Sequence, residues 1–220
     1  MRTFLSLFCF FTLTLAAPVG AQDNTQEQAA RKMAAALATD TGANTIMAII
    51  LGVEKSVGKS IGPKLALQVA ECSELASHPF DPGKFGDGID YAKIKAVDAI
   101  RECELAYDNG GDKIGLVLAS LSRAYNKAKK YDRSLSFARE AVAVGYPFGD
   151  IIVAQHYHYG DGIKKDKAEQ FRWFKKAAEK GVNAGMRTTA KNYTNGNGTA
   201  VNYDQAYFWS LQAIKQNGSS

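Results

Sequence analysis

From Ala154 to Gly181 the chain reads AQHYHYGDGIKKDKAEQFRWFKKAAEKG, and from Ala190 to Asn217 it reads AKNYTNGNGTAVNYDQAYFWSLQAIKQN. Laid over each other at a step of 36, the two stretches pair Tyr157 with Tyr193, Gly160 with Gly196, Gly162 with Gly198, Trp173 with Trp209 and Ala177 with Ala213. One step earlier stand Phe137, Ala141 and Gly145, ahead of Trp173, Ala177 and Gly181. A fixed period of this length marks stacked helix pairs, because one pair cannot bury its own apolar stripe. Arrays of this kind bind proteins or peptides on a concave face.

Working outward, the pattern predicts three helix pairs. Lys113 to Lys127 goes with Tyr131 to Val144, Ile151 to Tyr159 with Lys167 to Lys180, and Ala184 to Thr194 with Tyr203 to Gln216. The recurring alanines let helices approach closely, and the recurring Phe or Trp fills the groove between repeats. The Gly-x-Gly of the later turns supplies backbone angles that other residues resist. Upstream, Gln26 to Ala38, Asn44 to Val57, Lys64 to Ser77 and Tyr91 to Tyr107 read as helices. His78-Pro79-Phe80-Asp81-Pro82-Gly83 opens a loop that runs to about Asp90. No long strand signal interrupts the series. The expected fold is all-α, a short right-handed solenoid of antiparallel helix pairs.

The first 21 residues read as a signal peptide. Arg2 gives the positive start, Phe4 to Leu15 the apolar run, and Val19-Gly20-Ala21 the small-residue cut. The mature chain would begin near Gln22, in the periplasm or outside a bacterial cell. Ile46 to Val53 is too short to span a membrane. The net charge of +5 comes from Lys and Arg scattered among Asp and Glu. That pattern lacks the basic run of a nucleic-acid binder and leaves room for weak contact with an anionic surface or glycan. Cys9 leaves with the signal, so Cys72 and Cys103 remain. An even count in an oxidising compartment predicts a disulfide between them.

At these residues the chain resembles a Sel1-like repeat protein, a subclass of the tetratricopeptide-type solenoids. Tyr157-His-Tyr-Gly160-Asp-Gly162-Ile-Lys-Lys-Asp166 and Trp173-Phe-Lys-Lys-Ala177-Ala178-Glu-Lys-Gly181 carry the likeness. The copy from Tyr193 is more worn, with Asn202 where the family prefers Asp and Asn217 at the glycine position. Leu118 to Gly145 is similar to an ordinary tetratricopeptide unit. The segment from Cys72 to Cys103 is similar to a paired-cysteine module that precedes such repeats in exported bacterial proteins. The resemblance implies a scaffold or adaptor, and leaves the partner open.

Several motifs invite chemistry and fail on spacing. Gly58-Lys59-Ser60 lacks the glycine that a phosphate loop needs at position 53, where Val stands. Ser56-Val57-Gly58-Lys59 has the spacing of penicillin-recognising enzymes, without their Lys-Thr-Gly element. His156 and His158 are two apart on a helix and face different ways, so they do not share a metal. The expected arrangement is one partly buried and one exposed histidine, with His156 largely at the surface.

The organisation expected is a signal peptide at 1–21, a segment without a legible role at 22–63, and a paired-cysteine module at 64–111. A tetratricopeptide-like repeat at 112–147 and Sel1-like repeats at 148–183 and 184–220 complete it. The expected function is non-catalytic binding of a protein or peptide partner in the cell envelope, without cofactor, metal or nucleic acid. Rival readings are a cell-wall hydrolase or β-lactam-binding protein, and a polysaccharide-associated assembly factor. The first helices of each pair should line the concave side. The candidate partner-binding residues are Arg123, Tyr125, His156, Tyr157, Arg187, Lys191 and Tyr193.

Overall fold

The computed structural model describes residues 48–55 and 60–217. The signal peptide, the helix expected at Gln26 to Ala38 and the Ser56-Val57-Gly58-Lys59 motif lie outside the described residues.

A helical stretch at 48–55 precedes eight helices. These are α1 (Pro63–Ala76), α2 (Ala96–Asp108), α3 (Gly115–Lys127), α4 (Tyr131–Ala143), α5 (Pro147–Tyr159), α6 (Lys167–Glu179), α7 (Asn183–Asn195) and α8 (Tyr203–Asn217). Short 3₁₀ turns occupy Tyr91–Lys93 and Gly111–Lys113. No strand occurs among the described residues. Consecutive helices pack on one another throughout, and α3 also meets α1 and α5. The described residues form an all-α solenoid.

Two boundaries differ from the sequence reading. Helix α5 starts four residues before Ile151, because Pro147 stands in its first turn, where no amide partner is needed. The helix expected from Tyr91 to Tyr107 is broken at Ile94 and Lys95, both extended. The break sends Ile94 into the core, at 4% exposure. It also turns Val97 out to solvent, and Ala99, Cys103 and Ala106 form the buried stripe of α2 instead.

The core centres on α3, whose residues from Leu116 to Tyr125 are all buried. Phe137 of α4 stacks on Tyr125, ring centroids 5.5 Å apart. Trp209 is buried beside Ala178 and Ala190. Trp173 is only half-buried, with the Lys176 ammonium 4.0 Å from its ring centre, and Phe174 is the deeper aromatic of α6. The repeated alanines 141, 177 and 213 are buried as the period implies. Close approach also depends on two glycines that the sequence reading passed over. A Cβ at Gly149 would lie 2.9 Å from the Val142 amide nitrogen, and one at Gly185 2.7 Å from that of Ala178. Gly160, Gly162, Gly196 and Gly198 all take positive φ, as the Gly-x-Gly turns require.

Cys72 of α1 and Cys103 of α2 form a disulfide, 31 residues apart and fully buried.

Candidate binding groove

The loop from Ser77 to Ile94 is held by buried polar groups rather than by an apolar core of its own. Ser73 Oγ donates to the Phe85 carbonyl and accepts from the Phe85 amide, both at 2.9 Å. The Ile89 amide donates to the Ser77 carbonyl at 2.9 Å. Asp81 is 1% exposed and accepts from the Tyr146 hydroxyl at 2.6 Å and the Gly83 amide at 3.0 Å. Arg123 of α3 clamps the loop from below, donating to the Ala76 carbonyl at 2.6 Å and the Ile89 carbonyl at 3.1 Å.

The loop so fixed forms one wall of a groove of about 600 Å³. His78, Phe80 and Tyr91 come from the loop, Arg123 and Asn126 from α3, and Ile152, Gln155 and Tyr159 from α5. Phe80 and Tyr159 stand out at 68% and 61% exposure. The Tyr91 hydroxyl donates to Asn126 Oδ1 at 2.6 Å, and Asn126 Nδ2 donates to Asp161 Oδ2 at 2.9 Å. Lys127 braces Tyr91, bonding the Ala92 carbonyl at 3.1 Å with its ammonium 5.0 Å from the ring centre.

Burial sets the charges. It lowers Arg123 to about 10, with Asp81 and Asp90 opposing, so the guanidinium stays charged at neutral pH. It lowers His78 to about 4, and the Arg123 charge adds to the effect. It pushes Asp81 up to about 6, against the hydrogen bonds from Tyr146 and Gly83. The groove at neutral pH thus presents one buried cation and two neutral imidazoles, with Asp90 and Asp161 also in its lining.

His156 is not the surface residue that the sequence reading expected. It is 2% exposed, because α5 turns it toward α4. Its Nε2 lies 2.9 Å from Ser134 Oγ and its Nδ1 lies 2.6 Å from the Asp161 carbonyl. Burial lowers its pKa. A neutral ring must donate from Nδ1, since a carbonyl only accepts, and Nε2 then accepts from Ser134. The single Ser134 proton thus has two acceptors within reach, His156 Nε2 and the Ser122 carbonyl at 2.7 Å. A serine beside a histidine invites a nucleophile reading, but Ser134 is fully buried and the Asp161 carboxylate serves Asn126 instead. The pair ties α3, α4 and α5 together. His158 is exposed on the opposite side. Among the described residues no group of three or more His, Cys, Asp or Glu is placed to hold a metal.

The other candidates divide. Tyr125 is a core residue at 2% exposure. Its hydroxyl donates to Glu104, and burial and that carboxylate push it up to about 12. Arg123 is 6% exposed and acts as the loop clamp. Tyr125 does not offer the partner-binding surface expected of it, and Arg123 and His156 line the groove only as buried residues, because the polar atoms of all three satisfy carbonyls and side chains inside the molecule. Tyr157 and Tyr193 are half-buried, Tyr193 against Phe171. Arg187 and Lys191 are exposed and line a separate groove between α7 and α8. The sequence reading missed Phe80, Asn126 and Tyr159.

The Sel1 repeat family model matches residues 151–182 and 187–218. Both matches fall on helix pairs of the array. Residues 151–218 carry Sel1 repeats. No curated protein sequence matches the chain. Among solved structures, the protective antigen c5321 of uropathogenic Escherichia coli, which displays an SLR fold, aligns at a TM-score of 0.50 with 22% identity. That alignment covers 79% of this chain and 39% of the antigen, and it bears on fold alone. A Sel1 repeat protein from Oxalobacter formigenes aligns at a TM-score of 0.47 with 21% identity, covering 53% of this chain and 89% of its own. Sel1 repeats generally mediate protein–protein contacts. No described helix is long and apolar enough to cross a membrane.

Proposed function

We propose that this Sel1-repeat chain is an exported, non-catalytic adaptor that captures a protein or peptide partner of the cell envelope in the groove between the Ser77–Ile94 loop and helices α3 and α5. The observation that carries this reading is the pairing of exposed rings with fixed polar groups. Phe80 and Tyr159 offer apolar anchors at the rim, where side chains exposed at 68% and 61% are otherwise a cost in water. Gln155 and the Asn126–Asp161 pair offer donors and acceptors between them. Rigid aromatics beside fixed hydrogen-bonding groups make the anchors of protein recognition. The apparent signal peptide and the disulfide Cys72–Cys103 support an oxidising location.

The test is capture from envelope extract by the mature chain, compared with a Phe80→Ala, Tyr159→Ala double variant. The wild type should retain one or a few partners that the double variant loses, while the far-UV circular dichroism of the two stays the same. Equal retention by both would overturn the placement. Failure of a well-folded wild type to retain any protein would overturn the adaptor reading itself.

A further inference from the structure

A second surface lies at the α7–α8 end of the described array. The groove there, about 380 Å³, is lined by Arg187, Ala190 and Lys191 of α7 and by Ser210, Ala213 and Ile214 of α8. One repeat earlier the corresponding positions are Ile151, Ala154, Gln155, Phe174, Ala177 and Ala178. All of these but Gln155 are buried, at 8% exposure or less. Helix α7 covers that inner groove, with Val182 in the same core cluster and Gly185 pressed against Ala177 and Ala178. The outer groove keeps Ala190 and Ala213 at the positions of Ala154 and Ala177, and Ile214 takes the place of Ala178. Tyr203, Tyr207 and Ile214 stand on one face of α8 at 71%, 71% and 67% exposure, whereas Phe171 and Ala178 at the last two positions one repeat earlier are buried. Asn183 Nδ2 donates to the Ala213 carbonyl and Gln216 Nε2 to the Gly181 carbonyl, both at 2.8 Å, so the groove is preformed.

The two grooves differ in charge, and in Ser210 standing where Phe174 stands one repeat earlier. Arg187 stands in place of Ile151, and Lys191 in place of Gln155. Neither makes an ion pair among the described residues, and no carboxylate lines the groove. Two cations one turn apart repel each other, so they favour an acidic complement.

We propose that the outer groove docks an acidic amphipathic helix of a partner protein. The helix would take the place that α7 takes on α6, with its apolar stripe over Tyr207 and Ile214 and its carboxylates facing Arg187 and Lys191. A helix is the occupant because a helix covers the equivalent ground inside this molecule. The acidic character follows from the unpaired cations. A second copy docked through the same face would bring its own Arg187 and Lys191 to the contact, like charge against like. This surface is separate from the loop groove, and it stands or falls independently of the proposal made there.

Two fluorescent helical peptides with the same leucine stripe test it, one with glutamate and one with lysine at the remaining positions. Fluorescence anisotropy with the mature chain should show the acidic peptide binding about tenfold tighter at low salt, with the preference shrinking as salt rises. The variant R187E/K191E should reverse the preference. Ile214→Lys should weaken the acidic peptide, and Phe80→Ala with Tyr159→Ala should leave it unchanged. Equal affinity for the two peptides would overturn the proposal. So would an acidic preference that survives R187E/K191E, or one that disappears with the Phe80 and Tyr159 substitutions. A dimer seen in sedimentation and abolished by Ile214→Lys would assign the face to a second copy and overturn it equally.

Discussion

Replacing His156 with alanine should destabilise the protein more than replacing Trp173, although the histidine is the smaller side chain. His156 is 2% exposed and makes two hydrogen bonds, to Ser134 Oγ and the Asp161 carbonyl. Each bond contributes about 1 kcal/mol net, and the hole left by the ring adds about 1–2 kcal/mol. The Asp161 carbonyl loses its partner, while the single Ser134 proton turns to the Ser122 carbonyl. The sum is about 3–4 kcal/mol, or roughly 10 °C of thermal midpoint for a unit of this size. Trp173 is half-buried and shares its face with the Lys176 ammonium, so its loss should cost about 2 kcal/mol. Urea unfolding followed by far-UV circular dichroism gives both numbers. A His156→Ala midpoint within error of wild type, or a larger loss at Trp173, would refute the assignment of His156 to the inter-helix network.

The Asp81 carboxyl is ordinarily acidic near 3.8 and is held at about 6 by burial, so folding favours its protonated form. Its contribution is complete below about pH 4 and is lost as pH rises through 6, a change of about 3 kcal/mol at most. The stability of wild type relative to Asp81→Asn should fall by up to that amount between about pH 4 and pH 7; a flat difference would show that the carboxyl is not perturbed. The oxidised chain from Gln22 onward should show no titratable thiol, and reduction of Cys72–Cys103 should cost about 3–4 kcal/mol for a loop of this length. Two free thiols in that protein would contradict the bond. Gly198→Ala should cost more than about 2 kcal/mol, since φ is +72° and the added methyl would overlap the Lys167 carbonyl. A near-neutral thermal midpoint for that variant would place the turn wrongly.

The array was legible because its punctuation is local. Positive-φ glycines, repeated alanines and the aromatic step all recur at 36, and helices α4 and α6 to α8 fall within a residue of where the period puts them. The groove was not legible, because its walls are joined by bonds between residues far apart in the chain. Arg123 reaches Ala76 across 47 residues, and Tyr146 reaches Asp81 across 65. An isolated arginine on an amphipathic helix carries no local sign that a distant loop will bury it. The period did hold one unused signal. Ser120, His156 and Asn192 stand one step apart, and all three are buried. Applied to polar positions as it was to aromatic ones, the same step flags His156 as an interior residue.

The central position of α3 decides the order in which the molecule comes apart. Four helices lean on α3, while α8 packs mainly on α7. In an array stabilised by neighbour contacts, opening begins where the fewest contacts must break. Hydrogen exchange should therefore run fastest in α8 and slowest in α3, with the disulfide holding α1 to α2 throughout. The two grooves inherit opposite lifetimes from this gradient. The loop groove rests on α3 and persists until the whole unit unfolds, whereas the α7–α8 groove vanishes each time α8 lifts away.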